Sequence, residues 1–290
     1  MTIPMTSPEG STAVSSSADV HATAVIGRGT VVSDHVAIGP NVRIGANCII
    51  DGSEAYPTVI NTGCVLDDIV KIQPGVSLGA GSSVGPFSVL GHPSKVVTAG
   101  ADGSLENERV QRFIIDEPVT KIGAKAVIRS HAVIYTNVVI GEAFSTGHFI
   151  MVREHTRIGD RCVFGSHASV DGYSSIGDRT HVGQYAQLSQ SATIGRGVFI
   201  GGQTVFSDNL KAIWDVDQDL FGATLEDYVR IGLNCTVMPK VVLERGAFVG
   251  AGSIVTRNVP EGGLAYGSPA KVSRRQTMKE IQEYIDSVEG

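Results

Sequence analysis

From Ile26 onward the sequence repeats every six residues. Ile26, Val32, Ile38, Ile44 and Ile50 are followed, after a slip of four residues, by Ile60, Leu66, Ile72, Leu78, Val84 and Leu90. The register resumes at Ile122, runs unbroken to Ile200, and returns from Ile231 to Val255. Every slot is aliphatic except Thr146 and Phe164. Apolar spacing in a helix is three to four residues, so this period excludes one. Glycine often follows the slot (Gly27, Gly123, Gly159, Gly250), and a small residue often sits two before it (Ala126, Ala132, Thr156, Ala168). A short strand and a turn in every hexad describe an all-β parallel β-helix, three hexads to a triangular coil, with the aliphatic residue on the axis. About ten coils at the strand spacing rise roughly 48 Å.

Composition agrees with many strands and tight turns: charged residues are 18%, and there are 35 glycines. A net charge of −6 argues against a nucleic-acid partner, which calls for a basic face. No apolar run is long enough to cross a bilayer. The Ser/Thr-rich start, residues 1–19, reads as a disordered tail rather than a secretory signal, and four scattered cysteines in no metal-like spacing suggest a reducing, cytoplasmic setting. The β-helix domain is expected over 20–275, with two extended loops at 91–121 and 202–230. A short amphipathic helix is expected over 276–290, from Met278, Ile281, Ile285 and Val288 at helical spacing. It would pack on the prism or on a neighbour.

The register sorts the reactive residues. Cys48, Cys64, Cys162 and Cys235 each lie two before a slot, in the small interior position, so they read as structural thiols. The histidines all fall on outward positions. His131, His148 and His167 sit two or three past slots spaced by eighteen, on one face in successive coils. Arg153, Glu154 and His155 follow the next slot, so residues 145–159 wrap one edge with outward polar groups. Thr146, the one polar slot, lies two before His148, and relaxed regularity there is a mark of chemistry. Asp208, Asn209, Asp215 and Asp217, in the second loop, are placed to meet a cationic amine; the alternative is ordinary solvated acids.

The stretch "FVGAGSIVTRNVPEGGLAYGSPAKVSRR" (248–275) closely resembles the closing signature of hexapeptide-repeat acyltransferases, and "IGLNCTVMPKVVL" before it also fits. "STGHFIMVREHTRIGDRCVFGSHASVDG" resembles the central segment of that family's sugar-modifying, N-acetyltransferase-like branch. The resemblance implies a left-handed coil, a homotrimer with its site between subunits, and acetyl-CoA as co-substrate with no metal. It implies that Gly250, Ala251 and Gly252 line the pantetheine, and that Lys271, Arg274 and Arg275 lie near the nucleotide phosphates. It also implies an acetyl group passed to an amine, on an amino sugar linked to a nucleotide. One departure matters: where relatives carry their catalytic histidine, five residues before the glycine of the next repeat, this chain has Glu154, with His155 one residue later. His148 is therefore the first candidate base and Glu154 the second, as base or as orienter of a histidine. His131, His155, His167, Arg153, Asp208 and Asn209 are the substrate candidates. The alternatives are O-acetyl transfer to a sugar hydroxyl, a non-catalytic scaffold, and a γ-carbonic-anhydrase-like metal enzyme suggested by the His131/His148/His167 ladder.

Overall fold

The computed structural model describes residues 12–94, 119–209 and 221–290. Contacts divide the chain into two units, residues 1–137 and 138–290. Each is a three-faced parallel β-helix with hexads in the predicted phase. We name the faces in the order the chain visits them. In the first unit the first face holds Val31–Val32, Ile49–Ile50 and Lys71–Ile72, and each strand pairs in parallel with the one a full coil later. In the second unit it holds Met151–Val152, Ser169–Val170 and Gln187–Leu188, with Val152 opposite Val170. Strands of two to four residues suffice because each coil continues the ladder of the coil before it.

The axis is apolar as the period requires. From Val32 to Val255 every aliphatic slot is buried. The four cysteines are buried and unpaired. Each points its thiol at a carbonyl oxygen of the next coil, for example Cys162 Sγ to Gly177 O at 3.2 Å. Burial pushes the Cys162 thiol up to about 11, so it stays protonated and inert.

Thr146 has a different explanation from the one its polarity suggests. The interior position two residues earlier holds Phe144, fully buried, where a small residue is usual. Phe164, opposite Thr146 one coil on, meets Phe144 edge-to-face at 5.2 Å. The polar slot is thus a volume exchange, a small residue making room for two rings, and not a loosening for chemistry.

The helix starts earlier and is less interrupted than expected. Ala13–Val14 and Asp19–Val20 are strands, so the part of the expected tail from Ala13 onward belongs to the first coil. Val205–Phe206 and Thr224–Leu225 continue the ladder inside the expected 202–230 loop, with Phe206 and Leu225 buried. The first face consequently has six rungs in each unit, twelve in place of about ten. An aromatic slot and an insertion out of phase hid these hexads. Residues 95–118 of the first expected loop and 210–220 of the second, with Trp214, Asp215 and Asp217, lie outside the described residues.

In the first unit the departures from the six-residue period, after Ile50 and after Val89–His92, leave the corner between its first and second faces; in the second unit those after Phe206 and Val255 leave the corner between its first and second faces. In the second unit the third face ends in a hairpin, Gly263–Gly267 antiparallel to Ala270–Arg275. Helix α1, Met278–Glu289, follows with a full capping box between Thr277 and Glu280. It lies back on the second unit: an added Cβ at Gly262 or Gly246 meets Ile281, and one at Gly197 meets Val288.

Candidate functional site

The candidate residues of the second unit fall on two corners rather than one edge. His148 and His167 lie where the third face meets the first. Arg153, Glu154 and His155 lie where the first face meets the second, across the strand Met151–Val152. His131 belongs to the first unit and stacks on Phe87 at 5.0 Å.

At the first-to-second corner, Glu154 is not outward. It is 1% exposed, and both carboxylate oxygens accept from Arg153, Nε at 3.1 Å and Nη2 at 2.7 Å. A buried carboxylate held this way is stable only while paired. Gly172 makes the space: at φ +91°, a Cβ there comes 2.9 Å from the Glu154 carbonyl oxygen. Glu154 therefore orients Arg153, and as a base its oxygens are already engaged. His155 is exposed and stacks on Tyr173 at 4.6 Å. Burial raises the Tyr173 phenol above its ordinary value, and the Glu154 charge adds to the shift. Asp208 and Asn209 share this corner three rungs on, about 14 Å away at the strand spacing.

At the third-to-first corner, His148 is exposed, and its backbone N–H donates to Ser166 Oγ at 3.0 Å. It does not join a histidine ladder. The left-handed turn position is Phe149, and the observed stack is Phe149–His167–Tyr185, at 4.9 and 4.6 Å with rings within 6° of parallel. Sequence reasoning missed Phe149, Tyr173 and Tyr185. Their signal was spacing by eighteen, 149/167/185 and 155/173, which a search limited to histidines does not see. No group of three or more His, Cys, Asp or Glu among the described residues is arranged to hold a metal ion.

Gly250, Ala251 and Gly252 lie on the same corner as His148, five rungs on, about 24 Å away. Ala251 and Gly252 are exposed, and nothing lies within 4 Å of a Cβ built on Gly252. This leaves an open strip of backbone that a thin ligand arm can approach. Lys271 and Arg275 are exposed on the closing strand without an ion pair to another described residue. Arg274 is engaged: its guanidinium holds Glu280 at 2.7 and 3.0 Å.

The family model described as the hexapeptide repeat of succinyl-transferase matches residues 35–67, 155–184 and 222–257. The chain is 42% identical over 59 residues to the 2,3,4,5-tetrahydropyridine-2,6-dicarboxylate N-acetyltransferase of Staphylococcus aureus, covering 20% of this chain and 24% of that protein. It spans about a quarter of the length of the curated relatives it matches. Among solved structures, LpxA from Acinetobacter baumannii is 17% identical over 96% of this chain and 90% of that one, with a TM-score of 0.43. PerB from Caulobacter crescentus, in complex with CoA and GDP-perosamine, is 22% identical over 43% of this chain and 54% of that one, at 0.38. The matched segments fall on the coil, so over residues 35–67, 155–184 and 222–257 the chain is similar to that hexapeptide-repeat family.

Proposed function

We propose that this protein transfers an acetyl group from acetyl-CoA to an amine, the acceptor being an amino sugar linked to a nucleotide. The observation that carries this reading is the open backbone at Ala251 and Gly252, on the corner that also bears His148. A pantetheine arm is thin enough to lie on bare backbone, and Lys271 and Arg275 supply cations for nucleotide phosphates. The curated relatives named as N-acetyltransferases support the reaction class.

In the proposed step, the acceptor nitrogen attacks the thioester carbonyl. A C–N bond forms, the C–S bond breaks, and the sulfur leaves as the CoA thiol. The nitrogen must lose a proton, and His148 is the proposed acceptor, since the unprotonated nitrogen of an imidazole can take one. Such general-base help is typically worth about 10²–10⁴ in rate. Glu154 acts through Arg153, holding the guanidinium at the next corner to receive an anionic part of the acceptor. His155, Asp208 and Asn209 are proposed acceptor contacts on that corner, and His131 and His167 line the turn columns.

A homotrimer brings the two corners together, His148 of one copy facing the Arg153 corner of the next. Phe149 and Tyr185, 48% and 54% exposed in left-handed turn positions, support burial against a second copy. No described helix is long and apolar enough to cross a membrane. The unpaired cysteines support a reducing compartment such as the cytoplasm.

The test is a panel of amino-sugar nucleotides, hydroxyl-bearing sugars and amino acids incubated with acetyl-CoA, reading thiol release. Turnover with an amino sugar and a loss of more than tenfold in kcat for His148→Ala support the proposal. Turnover only with hydroxyl acceptors, or none at all, contradicts it.

A further inference from the structure

The C-terminal helix is fastened by its own glutamate in a cradle of cations. Glu289 Oε1 accepts from the Tyr228 hydroxyl at 2.7 Å, and Oε2 accepts from Arg196 Nη2 at 2.9 Å, the same Nη2 lying 2.7 Å from Oε1. Arg179 Nη1 donates to the carbonyl oxygens of Val288 and Glu289 at 2.9 and 3.0 Å, and its Nε lies 3.7 Å from Glu289 Oε2. The Arg196 guanidinium also sits 6.0 Å from the Tyr228 ring centre, and that of Arg245 5.6 Å from it. The cradle belongs to the body of the second unit, on the corner between second and third faces, far in sequence from the helix that fills it.

Three features mark it as more than a helix clasp. Tyr228 is 6% exposed, yet its hydroxyl is aimed at the carboxylate. The acids nearby are turned elsewhere: Asp227 accepts from the Arg196 backbone N–H at 2.9 Å, and Asp178 from that of Asp160 at 2.9 Å. Among the described residues, Glu289 is the carboxylate paired to both guanidinium groups. The Glu289 clasp is also exposed: Arg196 and Glu289 are 43% and 31% exposed, the setting in which an ion pair adds little stability, while the helix is held further along by Tyr284 Oη donating to the Gly197 carbonyl at 2.8 Å.

We propose that Arg179, Arg196 and Tyr228 form an anion site for a phosphate-bearing small molecule, which the chain occupies with Glu289 until that ligand displaces the C-terminal helix. Two guanidinium forks and a phenol match a phosphate better than a single carboxylate does, because a phosphate offers more acceptor oxygens and more charge. The ligand and α1 then compete for one site. This inference stands independently of acetyl transfer, since it uses neither the His148 corner nor the Gly250–Gly252 strip.

Inorganic pyrophosphate titrated calorimetrically into the full-length protein, with hydrogen exchange followed over 278–289, tests it. Glu289→Gln is expected to bind at least tenfold tighter than wild type, and pyrophosphate to speed exchange in the helix of the wild-type protein. Adding Arg196→Gln to Glu289→Gln should return affinity at least tenfold toward zero. Tyr228→Phe, which keeps the ring and removes the donor, should weaken binding severalfold and covers the case in which the arginine variant misfolds. A parallel titration with uridine diphosphate separates recognition of bare phosphates from that of a nucleotide, and competition by either with the helix supports the proposal. Equal affinity of wild type and Glu289→Gln, or binding indifferent to Arg196 and Tyr228, overturns it.

Discussion

At the residue scale, the hexad decides burial, and the exceptions are caused by neighbours one coil away. Glu154 occupies a turn position that faces solvent at His148, yet it is buried because eighteen residues later stands Gly172. Gly172→Ala should therefore cost about 1–3 kcal/mol, since the added methyl meets the Glu154 carbonyl and the residue must hold φ +91°. A fall in the denaturation midpoint measures it; an unchanged midpoint contradicts the close approach. On the axis, Phe164→Ala removes a ring packed on Phe144 and should cost about 3–5 kcal/mol. The interior was legible from a period of six because aliphatic slots have only one place to go. The inward turn of Glu154 was not, because it depends on a missing side chain in another coil. Nor was Phe144, whose size only makes sense beside Thr146.

At the scale of elements, the strands were legible. Six-residue spacing gives a strand and a turn and, through the unbroken register from Ile122 to Ile200, puts Glu154 and His155 one corner on from His148; residues 145–159 thus span two corners rather than one edge. Helix α1 was legible from Ile281, Ile285 and Val288, and its docking on Gly197, Gly246 and Gly262 was not. Its start is pH-sensitive. Hydrogen bonds from Arg274, then from the Thr277 backbone and hydroxyl, lower the Glu280 carboxyl to about 2 from its ordinary 4.5. A carboxyl depressed in the folded state stabilises it above the unfolded value and loses that contribution as pH falls through the folded one. Helicity of 278–289 should thus hold above about pH 4.5 and decline toward pH 2. Glu280→Gln should abolish this pH dependence, as followed by residue-resolved NMR shifts. Half-burial beside Phe199 lowers the His181 imidazole, so protonating it opposes folding on the acid side of neutrality.

At the scale of the whole molecule, the exposed turn column makes a prediction about assembly. Phe149, His167 and Tyr185 hold left-handed backbone, which costs an ordinary side chain about 1–2 kcal/mol, and two of them also leave large rings in water. Burial against a second copy would offset both terms. If the proposed trimer forms, Phe149→Ser with Tyr185→Ser should shift the protein to monomer in analytical ultracentrifugation, without loss of β signal in circular dichroism. A wild-type protein that sediments as a monomer contradicts this assignment. The proposed reaction rests on the same geometry, since the His148 corner and the Arg153 corner of one chain face different directions.

The most direct test of the central claim, that the Gly250–Gly252 corner receives acyl-CoA, is calorimetric titration of acetyl-CoA into wild type and Ala251→Trp. Ala251 is exposed, so the indole fills the strip without straining the coil. The account predicts binding to wild type with a Kd between about 1 μM and 1 mM, the usual range for enzyme substrates, and at least tenfold weaker binding to the variant. No binding to wild type, or equal binding to both, contradicts it.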